Sequence, residues 1–237
     1  MLKWSNIRLI LIFGVLAFLF GFAKNRHAHR ALTEVKITFD TDKNLLVTES
    51  ALLNELGFSM DSISTQQLKL VEVSKLEEKV VANEMVRKAE VYLTIDGKIG
   101  VEVEQRKPIL RFFDGDFQYL DKDGKIMPLS TNYSARVPIA MGIPSSEIKQ
   151  YYPMIKAITE DELLNQNIVG IQKTKKGELQ LELRDQNVLV DFGKLENVER
   201  KLANLKAFYV KAKKEDLFDR YSKIDLQYGS QVVCTKK

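Results

Sequence analysis

The chain has 237 residues, 45% of them hydrophobic and 29% charged, with a net charge of +4. That length and mix suit one or two folded domains, and the interspersed acids and bases exclude the basic stripe of a nucleic-acid binder. The single cysteine, Cys234, rules out an intrachain disulfide.

Residues 9–23, LILIFGVLAFLFGFA, form the one long uncharged run, with Leu9, Ile10, Leu11, Phe13, Leu16, Phe18, Leu19 and Phe20 as its apolar bulk. A membrane-spanning helix needs about 20 mostly apolar residues. The run reaches that length if Arg8 snorkels and Ile7 and Trp4 lie at the interface. A cleaved signal would end on a small-x-small site. Ala23 is small, but Ala-x-Ala is absent there, and Lys24, Arg26 and Arg30 follow, a basic cluster that resists translocation. The pattern favours an uncleaved anchor. Lys3 and Arg8 nearly balance Lys24, Arg26 and Arg30, so the positive-inside rule ties; a tail as short as 1–8 usually stays in the cytoplasm. Residues 24–32 read as a juxtamembrane linker.

In the next region, Val35, Ile37 and Phe39 alternate as a short strand. Thr48 caps a helix with Leu52, Leu53 and Leu56 on one face and Gly57 at its end. Residues 58–72 read as an irregular or partly helical insertion. The box Ser74-x-x-Glu77 opens a second helix, with Leu76, Val80 and Val81 inward and Asn83 as its stop. Ala89, Val91, Leu93 and Ile95 alternate up to Asp96-Gly97, read as a type I′ turn, and Ile99, Val101 and Val103 alternate back. Strand, helix, helix, strand, strand makes a compact α+β unit over residues 33–108.

Beyond it, Phe117 and Tyr119, then Ile126 and Leu129, flank Asp123-Gly124 as a further hairpin. A short strand with a proline break covers 136–142. Thr159 caps a helix opening with Glu160-Asp161-Glu162. Strands follow at Ile168–Ile171, at Leu179, Leu181 and Leu183, and at Val188, Val190 and Phe192. Asn197 begins a helix with Val198, Leu202, Leu205, Phe208 and Tyr209 on one face. Ile224, Leu226 and Tyr228 start a final strand that continues through Val233. This second region, 109–234 with a tail at 235–237, is a mixed β-rich domain with flanking helices.

Little in these regions suggests catalysis. His27 and His29 are the only histidines and lie beside the apolar run, so no Ser–His–Asp or Cys–His arrangement can be built in the folded regions. Cys234 lacks zinc partners. Asp114, Asp116, Asp121 and Asp123 miss the spacing of a calcium loop and suit turns. Gly193-Lys194 lacks the rest of a P-loop. The expectation is no enzyme, no cofactor, no metal and no small-molecule substrate.

The segment LEEKVVANEMVRKAEVYL and the exit through Gln105-Arg106-Lys107-Pro108-Ile109 resemble a POTRA (polypeptide-transport-associated) domain. The stretches QRKPILRF, YLDKDGKI, LVDFGKLENVERKLANLKAFY and YSKIDLQYGSQVVC, in that order, resemble the bacterial cell-division family FtsQ/DivIB. The chain departs from many relatives in having Gln105 for Glu, and Trp4 as its only tryptophan. The resemblance implies a short cytoplasmic tail, one retained span in the inner membrane, and extracytoplasmic domains at the division septum. It implies a non-catalytic scaffold whose partners are coiled-coil membrane proteins like FtsB and FtsL. The matching positions for docking are Gly193, Lys194, Gln227, Tyr228 and Ser230. On the residues alone, Tyr228 also reads as ordinary packing on the face of Ile224 and Leu226. Two other readings stay open: a signal-bearing periplasmic chaperone or transport component with a POTRA module, and a membrane-anchored hydrolase working through paired carboxylates.

Overall fold

The computed structural model describes residues 11–21, 32, 34–41, 43, 45–58, 72–94, 96–229 and 231–237. Leu9, Ile10, Ile95 and Ser230, the flanks at 1–8 and 22–31 with His27 and His29, and most of the insertion at 58–72 lie outside the described residues. Residues 11–21 form helix α1, and Leu11, Phe13, Leu16, Phe18, Leu19 and Phe20 are exposed on it. Among the described residues no helix is long and apolar enough to cross a membrane. The chain divides into two compact units, Met1–Gln105 and Arg106–Lys237.

In the first unit the elements are β1 (Glu34–Phe39), α2 (Glu49–Leu56), α3 (Val73–Ala82), β2 (Val86–Leu93) and β3 (Lys98–Gln105). The sheet order is β1-β3-β2, with β1 parallel and β2 antiparallel to β3. A parallel pair needs a crossover, and the segment carrying α2, α3 and β2 supplies it. Leu52, Leu56, Leu76 and Val80 of the helices close over Ile37, Val91, Ile99 and Val101 of the strands in one core. Thr48 caps α2 by accepting from the Ala51 N–H at 3.2 Å, and Gly57 ends it at a φ of 80°. Helix α3 starts one residue before the expected box. Glu72 is its cap and Ser74 sits inside it. Val81 faces out, because the stripe through Leu76 and Val80 already fills the buried side.

The Asp96-Gly97 connection is not a two-residue turn. Thr94 pairs with Lys98 across three positions, and Gly97 takes a φ of 88°. The same device recurs at Asp121–Lys125 and Thr174–Glu178, with Gly124 and Gly177 at φ of 77° and 81°. In each, the side-chain oxygen of the first residue accepts the N–H four positions on, at 2.8–3.2 Å. This is the three-residue hairpin loop closed by a left-handed residue.

The buried side chain of Gln105 closes the unit. Its Oε1 accepts from the N–H of Leu46 at 2.7 Å and of Val47 at 3.2 Å. A neutral amide satisfies both donors without burying a charge.

The second unit has strands β4 (Pro108–Asp114), β5 (Asp116–Asp121), β6 (Ile126–Pro128), β7 (Ile139–Met141), β8 (Ile168–Lys173), β9 (Leu179–Leu183), β10 (Leu189–Gly193), β11 (Tyr221–Asp225) and β12 (Val233–Lys236). Helices α4 (Ile148–Glu160) and α5 (Glu162–Asn167) join β7 to β8, and α6 (Val198–Lys214) joins β10 to β11. The nine strands make one sheet in the order β12-β11-β10-β9-β8-β7-β4-β5-β6. Tyr151, Met154, Ile155 and Ile158 of α4, Leu164 of α5, and Leu202, Leu205 and Tyr209 of α6 share one core with the inward strand residues. The outward residues of the central strands, among them Ile139, Met141 and Leu189, are not part of that core.

Three expectations change here. Helix α4 was not anticipated; Pro153 sits within it. Thr159 does not cap the next helix but donates back to the Ile155 and Lys156 carbonyls, and Asp161 is the cap of α5. The expected last strand is a hairpin: β11 stops at Asp225 and β12 returns antiparallel along it.

Candidate functional site

The residues singled out near the end of the chain meet at a corner formed by β10, α6 and the β11–β12 turn. Val190 and Phe192 point into the core, so β10 is held from below. The pairing of β10 with β9 slips between Asp191 and Gly193, and Gly193 adopts a φ of 73°. Such a bulge with a left-handed glycine turns the strand away from its ladder. The Leu226 N–H donates to the Asp191 carbonyl at 2.9 Å, laying residues 226–227 beside it. A Cβ at Gly193 would stand 2.6 Å from Cγ of Gln227.

Lys201 clamps this corner from α6. Its Nζ donates to the carbonyls of Phe192 and Lys194, each at 2.8 Å, and lies 4.8 Å from the Phe192 ring centroid. Burial pushes its ammonium pKa down; Glu196 and Asp225 oppose that shift. The carbonyls of 192 and 194 are thereby fixed, while the Lys194 side chain stays exposed. On the outer face, the Lys223 ammonium contacts the carboxylate of Asp191, which raises its pKa, and reaches Asp225 at 3.7 Å.

The Asp225 side chain accepts the Gln227 N–H at 2.9 Å, a local turn that ends β11. Gly229 follows at a φ of 54°, the Gln231 N–H returns to the Tyr228 carbonyl, and Asn204 of α6 donates to the Gly229 carbonyl at 3.4 Å. Leu226 is 1% exposed and Tyr228 60% exposed. The packing reading of Tyr228 is therefore corrected: the turn lifts it off the face shared by Ile224 and Leu226. Beside it runs β12, the last strand of the sheet, paired on one side only. Cys234 lies on β12 opposite Ile224, and partial burial raises its thiol pKa, which keeps it protonated.

Gly193 and Gln227 are thus in contact, and Lys194 and Tyr228 flank them as exposed side chains; Ser230 lies outside the described residues. Sequence reasoning missed Lys201 and Asn204. A lysine three places from Val198 and four from Leu205 was the available signal for the first; Asn204 offered none.

Three of the other candidate carboxylates are committed to structure. Asp121 accepts from the N–H groups of Asp123 and Lys125 and pairs with Arg106 at 2.7 Å. Asp114 accepts from the N–H and hydroxyl of Ser145 at 2.9 and 2.6 Å. Asp161 caps α5 and bonds Lys206. Among the described residues no group of three His, Cys, Asp or Glu side chains is placed to hold a metal ion.

Two family models match the chain. The one described as FtsQ/DivIB, C-terminal related, covers residues 107–235, and the POTRA-like domain covers residues 32–104. No curated protein matches the chain.

Proposed function

The chain belongs to the FtsQ/DivIB family, and from that premise we propose that it is a non-catalytic scaffold of the division machinery, joining septation proteins through its two folded units. The observation that carries this reading is the exposed Tyr228 in the turn that leads into β12, the end strand of the sheet. An edge strand has backbone N–H and C=O groups ready to accept a strand from another chain. Tyr228 supplies an aromatic anchor and Lys194 a charge for an acidic partner segment. Gly193 and Gln227 set the shape between them, and Ser230 completes the proposed set. The partners are coiled-coil membrane proteins of the FtsB and FtsL kind.

Residues 9–23 serve as an uncleaved anchor in the inner membrane, with the N-terminus cytoplasmic and both units outside, enriched at the septum. The wholly exposed apolar surface of α1 supports lipid contact. Confinement to the membrane raises effective concentration, so that individually weak contacts suffice. The POTRA-like unit offers a second docking surface along its own sheet edge.

The test is Tyr228→Lys, with binding of an FtsB-like partner ectodomain measured alongside thermal unfolding. Affinity falls roughly tenfold or more while the melting temperature holds, since an exposed substitution usually stays within about 0.5 kcal/mol. Wild-type affinity in a folded variant would remove Tyr228 from the site.

A further inference from the structure

The face of the second unit's sheet that is turned away from its helices carries an apolar patch around an uncompensated cation. One register row runs Tyr119, Arg111, Ile139, Gly170, Glu182 and Leu189 across β5, β4, β7, β8, β9 and β10. Tyr119 is buried, its hydroxyl accepting the Ala135 N–H at 3.0 Å. From Arg111 onward the face is open. Phe113, Phe117, Ile139 and Met141 are each 37–43% exposed. Phe113 and Phe117 meet edge to face at 5.2 Å, and the Arg111 guanidinium stacks 4.3 Å from the Phe117 centroid.

Arg111 differs from the sheet's other outward cation. Lys223 has Asp191 and Asp225, whereas no carboxylate among the described residues pairs with Arg111, and its Nε is buried without an acceptor. An unpaired guanidinium stacked on an aromatic ring among exposed apolar side chains has the composition of an interface hot spot. The patch runs on into a groove of about 600 Å³ that passes over Gly170 to Leu189.

We propose that this open face docks an amphipathic helix of a partner protein, its apolar ridge on Phe113, Ile139 and Met141 and an Asp or Glu side chain on Arg111. At Arg111 charge complementarity selects an acidic side chain, because the unpaired cation gains most from a carboxylate in a desolvated contact; Glu182, the exposed carboxylate of the same row, lies three strands away. The occupant is a helix because β4 and β7 are interior strands, hydrogen-bonded on both sides. They leave no backbone edge for strand addition, and a helix laid on the sheet repeats what α4 and α6 do on its other side. This surface is separate from the β12 edge, and the inference does not depend on that reading.

The test uses the full chain with ¹³C-methyl Ile and Met labels. The probe is a synthetic peptide of about 18 residues, five helical turns, with leucines at helical spacing flanked by glutamates; the control has lysines in place of the glutamates. The glutamate peptide shifts the Ile139 and Met141 methyl signals and binds roughly tenfold more tightly than the control, a difference of about 1.4 kcal/mol. Arg111→Gln removes that preference, and Met141→Asp, an exposed change that spares the fold, weakens both peptides. Equal binding of the two peptides, or an unaltered preference in Arg111→Gln, overturns the proposal. So do methyl shifts that grow with protein concentration in the absence of peptide, which would make a second copy of the chain the occupant.

Discussion

Gly193→Ala separates two costs at the corner of β10. The φ of 73° is left-handed, which costs an L-residue roughly 1–2 kcal/mol. Alanine recovers about 0.4–1 kcal/mol by stiffening the unfolded chain, so the conformational loss is about 0.5–1 kcal/mol. The second cost is steric. The new Cβ would lie 2.6 Å from Cγ and 2.7 Å from Cδ of Gln227, where carbon atoms prefer about 3.5–4.0 Å. Gln227 is exposed and can swing aside, so this cost is its lost packing, about 0.5 kcal/mol. The sum, about 1–1.5 kcal/mol, lowers the melting temperature of the second unit by roughly 3–6 °C. Thermal unfolding by circular dichroism on the wild type, Gly193→Ala, Gln227→Ala and the double variant resolves the two terms. In the Gln227→Ala background the glycine substitution costs the conformational part alone, so the double variant melts below Gln227→Ala by less than Gly193→Ala melts below the wild type. A double variant that melts with Gln227→Ala, or a Gly193→Ala variant that melts with the wild type, would refute the argument from backbone conformation.

Two further outcomes follow from buried and capping polar groups. Gln105→Leu takes the shared acceptor from the N–H groups of Leu46 and Val47 and destabilises the first unit by about 1–3 kcal/mol; thermal unfolding within about 0.5 kcal/mol of wild type would contradict that. The bond from Lys206, then the Leu164 N–H, holds the Asp161 carboxyl below its ordinary 3.8. A depressed carboxylate stabilises the fold above its unfolded pKa and loses that contribution as pH falls through the lower folded value. Asp161→Asn retains a capping side chain but is less stable at neutral pH, and its stability declines less below about pH 4. Melting curves of wild type and variant that stay parallel across that range would count against the ion pair.

The elements readable in the sequence were those whose period and punctuation agree. Leu179, Leu181 and Leu183 alternate between the turn at Gly177 and the turn at Asp185, and the strand is there. Helix α6 kept its stripe at helical spacing from Val198 to Tyr209. Helix α4 has the same spacing in Ile148, Tyr151, Ile155 and Ile158, but Pro153 lies in its middle and masks the pattern. Proline removes one backbone donor and one favoured bond; the buried stripe outweighs that local loss. Ser74 failed as a cap for the opposite reason. Its capping signature is local, whereas packing of Val73 against the core extends the helix past it.

The proposed docking corner was legible as a set of positions and not as a shape. Alternation placed Tyr228 with Ile224 and Leu226, and that inference assumed an unbroken strand. The Asp225 carboxylate breaks it by taking the Gln227 N–H, and Gly229 completes the reversal. Asp and Gly in that spacing are turn residues, yet they also occur at strand ends, so the choice depends on whether β12 can pair back on β11. Lys201 poses the same difficulty. On the sequence it is a solvated lysine on a mostly polar helix. It is buried only because the bulge at Gly193 turns the Phe192 and Lys194 carbonyls toward α6. Two acceptors from a strand meeting one donor from a helix is a tertiary contact, and the sequence shows only that Lys201 falls on the stripe of Val198 and Leu205. The clamp, the bulge and the turn each fix backbone groups and leave the Lys194 and Tyr228 side chains exposed, which is what the proposed docking requires of this corner.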